Sequence, residues 1–150
     1  DELDEWLPVL LEAEPAGITI HARTRKQMSK FPADWSYIKR AVEIRDRFNK
    51  TNNNEKCLTL IVGNGDVTDI KDAREKAKES GADRIMIGRA IFGNPWLFDE
   101  EKGEVSIEEK LKVMVEHTKL FEEIAPQKNF SIMKKHYKAY VYGYKLYIFF

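Results

Sequence analysis

The sequence predicts an α/β fold, three parallel strands alternating with helices, followed by a small all-α helical domain. Three observations carry this prediction. Apolar, β-branched runs recur at residues 16–24, 57–66 and 84–87, and each stops abruptly at glycine or a polar set. The stretches between them place apolar residues at helical spacing. After Trp96 the character changes to two longer helical patterns. The resulting β-α-β-α-β order implies parallel strands joined by right-handed crossovers. The boundary to the helical part falls near residues 99–105, which gives an α/β domain over 1–98 and a helical domain over 99–150.

Residues 2–13 read as a helix, with Pro8 expected to interrupt any long one. "AGITIHART" (16–24) reads as a buried strand, because Ile18, Thr19 and Ile20 are β-branched. In "ADWSYIKRAVEIRDRF", Trp35, Ile38, Ala41, Val42, Arg45 and Phe48 share one helical stripe, with Asp34 as cap. "TNNNEK" is a polar loop, and "CLTLIVGNGD" is the second strand. A helix starts near Thr68, turns Ile70, Ala73 and Ala77 inward, and stops at Gly81. The third strand runs from Arg84 to Ile87. Ser106 and Glu109 then form a capping-box pattern. Behind them Ile107, Leu111, Met114, Val115, Thr118 and Phe121 make one stripe, ended by Pro126. The last stretch begins as a helix, with Phe130, Met133, Tyr137, Tyr140, Val141 and Tyr144 inward.

Charge is balanced at 25 basic and 25 acidic residues, so net charge points to no partner. Its distribution is uneven. Residues 1–14 hold six acids and no base, and residues 124–150 hold five lysines and no acid. A basic end is either an anion-binding surface or a solvated face. One cysteine, Cys57, excludes an internal disulfide, shows no zinc cluster and fits a reducing cytoplasm. No run of 18 apolar residues suggests a membrane span, and no metal is expected.

The strand ends carry the chemistry. They read His21-Ala22-Arg23-Thr24-Arg25, Gly63-Asn64-Gly65-Asp66 and Gly88-Arg89. In parallel α/β folds ligands sit at the carboxyl ends of strands, so these sets share one rim. Glycine lets a backbone approach a ligand. The helix near Thr68 offers a positive dipole end, and Arg89 a bidentate fork for phosphate. Taken singly, each has a plain reading: Gly-Asn-Gly as a turn, Asp66 as a helix cap, His21 as a satisfied polar residue. Three such endings on consecutive strands point instead to an anionic ligand.

These stretches resemble the flavin-dependent tRNA-dihydrouridine synthases of the bacterial branch. The likeness lies in "ITIHARTRKQMSKFPADWSYI", "LIVGNGDVTDIKDA", "DRIMIGRAIFGNPWLF", "HTKLFEE" and "NFSIMKKHYKAY", from about residue 16 to about 142. The resemblance implies the last three βα units of a (β/α)₈ barrel, then the helical domain that grips tRNA. It implies FMN as cofactor, held by His21, Asn64, Gly65, Asp66, Gly88 and Arg89. NADPH would be the reductant. The reduced flavin would pass a hydride to uridine C6, and a cysteine would protonate C5 of the unstacked base. Arg23 and Arg25 would lie near the RNA path. Lys134, Lys135 and Lys138, with Lys128 and His136, would meet tRNA phosphates. Tyr137 and Tyr140 are expected to pack rather than stack on bases.

The sequence departs from the family in lacking the Asn-x-x-Cys-Pro-like motif that carries the acid cysteine, so no catalytic residue is assigned. Cys57 opens its strand, roughly 20 Å from the rim at about 3.3 Å per residue, and reads as a small buried apolar residue. The chain is expected to be a C-terminal part that lacks catalysis on its own. "YKLYIFF" after Gly143 is unlike the family's continuation. Two rival readings stay open: another FMN-dependent barrel oxidoreductase acting on a small molecule, and a non-catalytic RNA-binding remnant.

Overall fold

The computed structural model describes residues 2–27, 30–51 and 59–142. Cys57, Gly143, Tyr144 and the "YKLYIFF" tail lie outside the described residues. The chain forms two compact units, Asp1–Arg89 and Ala90–Phe150.

In the first unit, α1 (Glu2–Glu12), β1 (Gly17–His21), α2 (Ser36–Thr51), β2 (Leu60–Asn64), α3 (Ile70–Ser80) and β3 (Arg84–Met86) follow in the expected order. Pro8 does not break α1 but sits inside it. Proline in a helix interior costs about 3 kcal/mol. The burial of Leu7 and Leu11 against the core offsets that cost. Arg40 Nη2 and Nε also tie α2 to Asp4 Oδ1 of α1, at 2.7 and 3.0 Å.

The strands pair in parallel in the order β1-β2-β3, with Ile18 opposite Ile61, His21 opposite Asn64, and Asn64 opposite Met86. Side chains alternate between two faces. Ile18, Ile20, Ile61 and Ile85 join Leu7, Leu11, Ile38, Ala41 and Ile44 in one core with α1 and α2. The other face presents Thr19, His21, Leu60, Arg84 and Met86, all exposed. β1 is therefore half-covered rather than the buried strand its composition suggests, because among the described residues helices cover only one side of the sheet.

The inward stripe of α2 forms as expected, and Arg45 on it has a buried role. Its Nη1 donates to Thr59 O at 2.9 Å and to Asp83 Oδ2 at 2.8 Å, and that same oxygen accepts Ile61 N–H at 2.7 Å. The ion pair thus joins α2 to the edges of β2 and β3. Burial raises the Asp83 pKa, but the Ile61 amide and Arg45 outweigh it and hold the carboxyl below its usual value. Gly81 ends α3 in a left-handed conformation (φ 75°), with its N–H on Ala77 O.

In the second unit α4 (Ile107–Ile124) starts at Ser106, whose Oγ accepts Glu109 N–H at 3.2 Å. The Glu109 carboxylate meets Lys102 Nζ at 2.6 Å, so half of the capping box is seen and the rest is diverted. Val115 is 49% exposed, unlike the rest of its predicted stripe. A 3-10 turn, Phe130–Met133, precedes the short α5 (Lys134–Tyr140) where one helix was expected. Asn129 caps the turn by accepting Ser131 N–H. Met133 and Tyr140 are buried. Tyr137 Oη bonds Thr118 Oγ1 at 2.9 Å and Tyr140 Oη meets His117 Nδ1 at 3.3 Å, so both tyrosines pack as expected.

Candidate functional site

The three strand ends meet through side chains. Asn64 Nδ2 donates to Met86 O at 2.8 Å, which turns its Oδ1 toward His21 Nδ1 at 2.5 Å. That oxygen only accepts, so His21 must carry its proton on Nδ1. Nε2 is left facing away from Asn64. The register places all three residues in one row, on the uncovered face.

The turn after β2 is held from behind. Gly65 takes φ 138° and Asp66 φ 48°. Trp35 Nε1 donates to Gly65 O at 3.0 Å, and Ala33 N–H donates to Asp66 Oδ2 at 2.9 Å. A Cβ on Gly65 would lie 2.8 Å from Ala33 Cβ, and one on Gly63 would lie 2.5 Å from the Trp35 ring. Packing against the approach to α2 is enough to require glycine at both positions, and at Gly65 the positive φ requires it as well. Gly88 is different: among the described residues nothing lies within 4 Å of the position its Cβ would take. Of the three, only Gly88 leaves open space for a ligand to approach the backbone.

Asp66 joins two arginines. Its Oδ2 accepts Arg23 Nη2 and its Oδ1 accepts Arg89 Nη2, the latter at 2.9 Å. Arg23 Nε also donates to Phe31 O at 2.5 Å, and the Arg23 side chain is only 4% exposed. The Arg89 side chain is 66% exposed. Hydrogen bonding from Arg23, helped by Ala33 N–H and Arg89 and opposed by partial burial, holds the Asp66 carboxyl down at about 2. The trio therefore stays charged at neutral pH, two cations to one anion.

Of the residues expected at the rim, His21 and Asn64 form one bonded pair, Asp66 and Arg89 another, Gly65 O accepts from Trp35, and Gly88 precedes Arg89 in the chain. The start of α3 carries its own acids. The carboxylates of Asp69 and Asp72 already accept Asp72 N–H and Thr68 N–H at the start of α3, at 2.8 and 2.9 Å. Arg25 is exposed and lines a cleft of about 560 Å³ with Trp6, His21, Arg23 and Tyr37. Lys134, Lys135 and Lys138 in the second unit are exposed. Lys135 Nζ lies 5.1 Å from the centre of the Phe92 ring. His136 lies edge-on to His117 with ring centres 5.0 Å apart; burial, then His117 and Lys135, lower its pKa. Sequence reasoning missed the supporting roles of Ala33, Trp35 and the Phe31 and Met86 carbonyls. Trp35 leaves a trace as a tryptophan at the head of the α2 stripe, whereas backbone carbonyls leave none. Among the described residues no His, Cys, Asp and Glu group could hold a metal ion, and no helix is long and apolar enough to cross a membrane.

A parallel α/β unit whose consecutive strand ends gather an open glycine, an exposed arginine and a hydrogen-bonded histidine defines an α/β protein with its polar residues at one rim. Comparison with known proteins makes the assignment narrower. The profile of the dihydrouridine synthase (Dus) family matches residues 9–148, and the chain belongs to that family. A "Probable tRNA-dihydrouridine synthase" of Staphylococcus epidermidis is 37% identical over 145 residues, 95% of this chain and 42% of the relative. Its Staphylococcus aureus counterpart is 36% identical over the same shares. A "Probable tRNA-dihydrouridine synthase 2" of Bacillus subtilis is 34% identical over 147 residues, 97% of this chain and 43% of the relative. The chain spans about two-fifths of the length of these relatives.

Proposed function

We propose that this chain supplies the cofactor-phosphate side of a flavin-dependent tRNA-dihydrouridine synthase, an oxidoreductase that reduces uridine in tRNA. The observation that carries this reading is the rim itself, with His21 and Asn64 in one row, Gly88 open, and Arg89 exposed beside them. The residues fit FMN: the open Gly88 leaves room beside a backbone amide, and Arg89 brings a guanidinium fork suited to phosphate. His21, Asn64, Gly65, Asp66, Gly88 and Arg89 belong to this site. Gly88 and Arg89 face the phosphate end, while Gly65 and Asp66 support them. His21 offers its Nε2 edge to the ligand. FMN, when bound, supplies hydride transfer, with NADPH as the reductant.

The same reading places the three strands in a (β/α)₈ barrel. Consecutive neighbouring strands with helices on one face suit a singly wound barrel, whose bare sheet face turns inward. A doubly wound sheet would instead carry helices on both faces. Residues 99–150 form the tRNA-gripping helical domain, and the protein works in the cytoplasm. Lys134, Lys135 and Lys138 contact tRNA phosphates and Arg25 lies near the RNA path.

Flavin fluorescence titration of the chain tests the cofactor side. FMN is expected to bind at least about tenfold more tightly than riboflavin, which lacks the phosphate, and Arg89→Met to erase the difference. Equal affinities for both flavins in the unaltered chain refute the phosphate site. For the RNA side, each lysine-to-alanine change should weaken tRNA binding and reduce the salt slope by about one. An unchanged slope removes that lysine from the interface.

A further inference from the structure

Asp66 presents a problem that the phosphate reading does not resolve. A carboxylate bonded to the arginine that would bind an anion adds repulsion where attraction is needed. Electrostatics alone would favour a neutral residue there. The surrounding geometry suggests why the acid is present.

We propose that Asp66 is a positioning residue which holds Arg89 at the rim, and that Arg23 offsets its charge. This inference rests on the phosphate reading and assigns roles to two residues that do not touch the ligand. Each Asp66 oxygen has its own arginine: Oδ2 accepts Arg23 and Oδ1 accepts Arg89. The Ala33 amide, also on Oδ2, fixes the carboxylate plane to the backbone before α2. Arg23 is itself fixed by Phe31 O, and its side chain is only 4% exposed, so its guanidinium is committed to Asp66 and the Phe31 carbonyl. It behaves as an internal counter-charge. Arg89 uses one Nη2 on this bracket, and its side chain remains 66% exposed. A guanidinium has five N–H donors in a rigid plane, so one anchored corner orients the others. The trio keeps one net positive charge, and its direction is set before any ligand arrives.

Asp66→Asn separates this account from simple electrostatics because the two predict opposite signs. The substitution removes a negative charge, so a purely coulombic role predicts tighter FMN binding. Asparagine, however, has one accepting oxygen, so its amide NH₂ would face the arginine on the other side, donor against donor. The positioning role therefore predicts FMN binding weaker by about tenfold, with riboflavin binding unchanged. Arg23→Met should weaken FMN binding in the same way although its side chain is buried, and Arg23→Lys should restore part of the loss. Asp66→Asn added to Arg89→Met should have no further effect.

Tighter or unchanged FMN binding by Asp66→Asn overturns the positioning role and leaves the phosphate site standing. Failure of the unaltered chain to prefer FMN over riboflavin overturns the phosphate site, and this proposal with it. Should Asp66→Asn not fold, the unaltered chain still decides the question by NMR. The Arg89 guanidinium, identified by loss of its signals in Arg89→Lys, is expected to show hindered rotation without ligand. Free rotation there overturns the proposal.

Discussion

Replacing Gly63 by alanine is the sharpest test of how the rim is supported. The added methyl would sit 2.5 and 3.0 Å from two atoms of the Trp35 ring and 3.1 Å from Ile38 Cγ2. Neither neighbour can yield easily: Ile38 is fully buried, and Trp35 is tied through Nε1 to Gly65 O. Overpacking of this kind costs about 1–3 kcal/mol. Moving Trp35 also breaks its hydrogen bond, which adds about 1 kcal/mol. Gly63→Ala should thus lose roughly 2–4 kcal/mol, a large share of a small domain's stability. Urea unfolding followed by circular dichroism should show a midpoint lowered by more than about 1 M. Gly88→Ala is the matched control, since its methyl meets nothing within 4 Å among the described residues, and it should stay within about 0.5 kcal/mol of the parent. A Gly63→Ala variant as stable as the parent, or a Gly88→Ala variant that is the less stable of the two, would refute the division of the glycines into packing and ligand classes.

Further expectations concern charge. Asp66 has its folded pKa depressed to about 2, so its contribution to stability is present above about pH 4 and lost as pH falls toward 2. Acid titration of the urea midpoint should show a drop in that window, and Asp66→Asn should flatten it. His136 is also depressed, but for a base the sign reverses: below pH 6.5 the unfolded chain takes up the proton more readily, so stability falls with acidification. Thermal melts of the chain should therefore show a lower midpoint at pH 5 than at pH 8, with a smaller difference in His136→Phe. Arg45→Met should cost about 2 kcal/mol by urea unfolding, because it leaves Asp83 and Thr59 O without their shared cation. A change under 0.5 kcal/mol would demote that ion pair to a surface contact.

The strand and helix order was legible because hydrophobic period and glycine stops are local signals, and β1, β2 and β3 all fall inside the stretches expected. Gly81 and Ser106 were legible for the same reason, since caps are set by neighbours in sequence. Pro8 was misread because its local cost is outweighed by Leu7 and Leu11, whose burial is a tertiary fact. Burial of β1 was misjudged because composition reports what a strand tolerates, not which of its faces receives a helix. At the rim, residue types pointed to an anion but not to the division of labour. That Gly63 and Gly65 answer to Trp35 and Ala33 depends on contacts across about 30 residues of chain. At the N-terminus of α3 the sequence also carries Asp69 and Asp72, whose carboxylates accept the Asp72 and Thr68 amides.

The row from Met86 O through Asn64 to His21 has a kinetic consequence. Its hydrogen bonds are made by the protein to itself, so the ring and amide lose their rotational freedom when the chain folds rather than when a ligand docks. Association with this rim should then be a single step whose rate is governed by diffusion and charge. Differences in affinity between ligands that share the same anionic group should show in how long each stays.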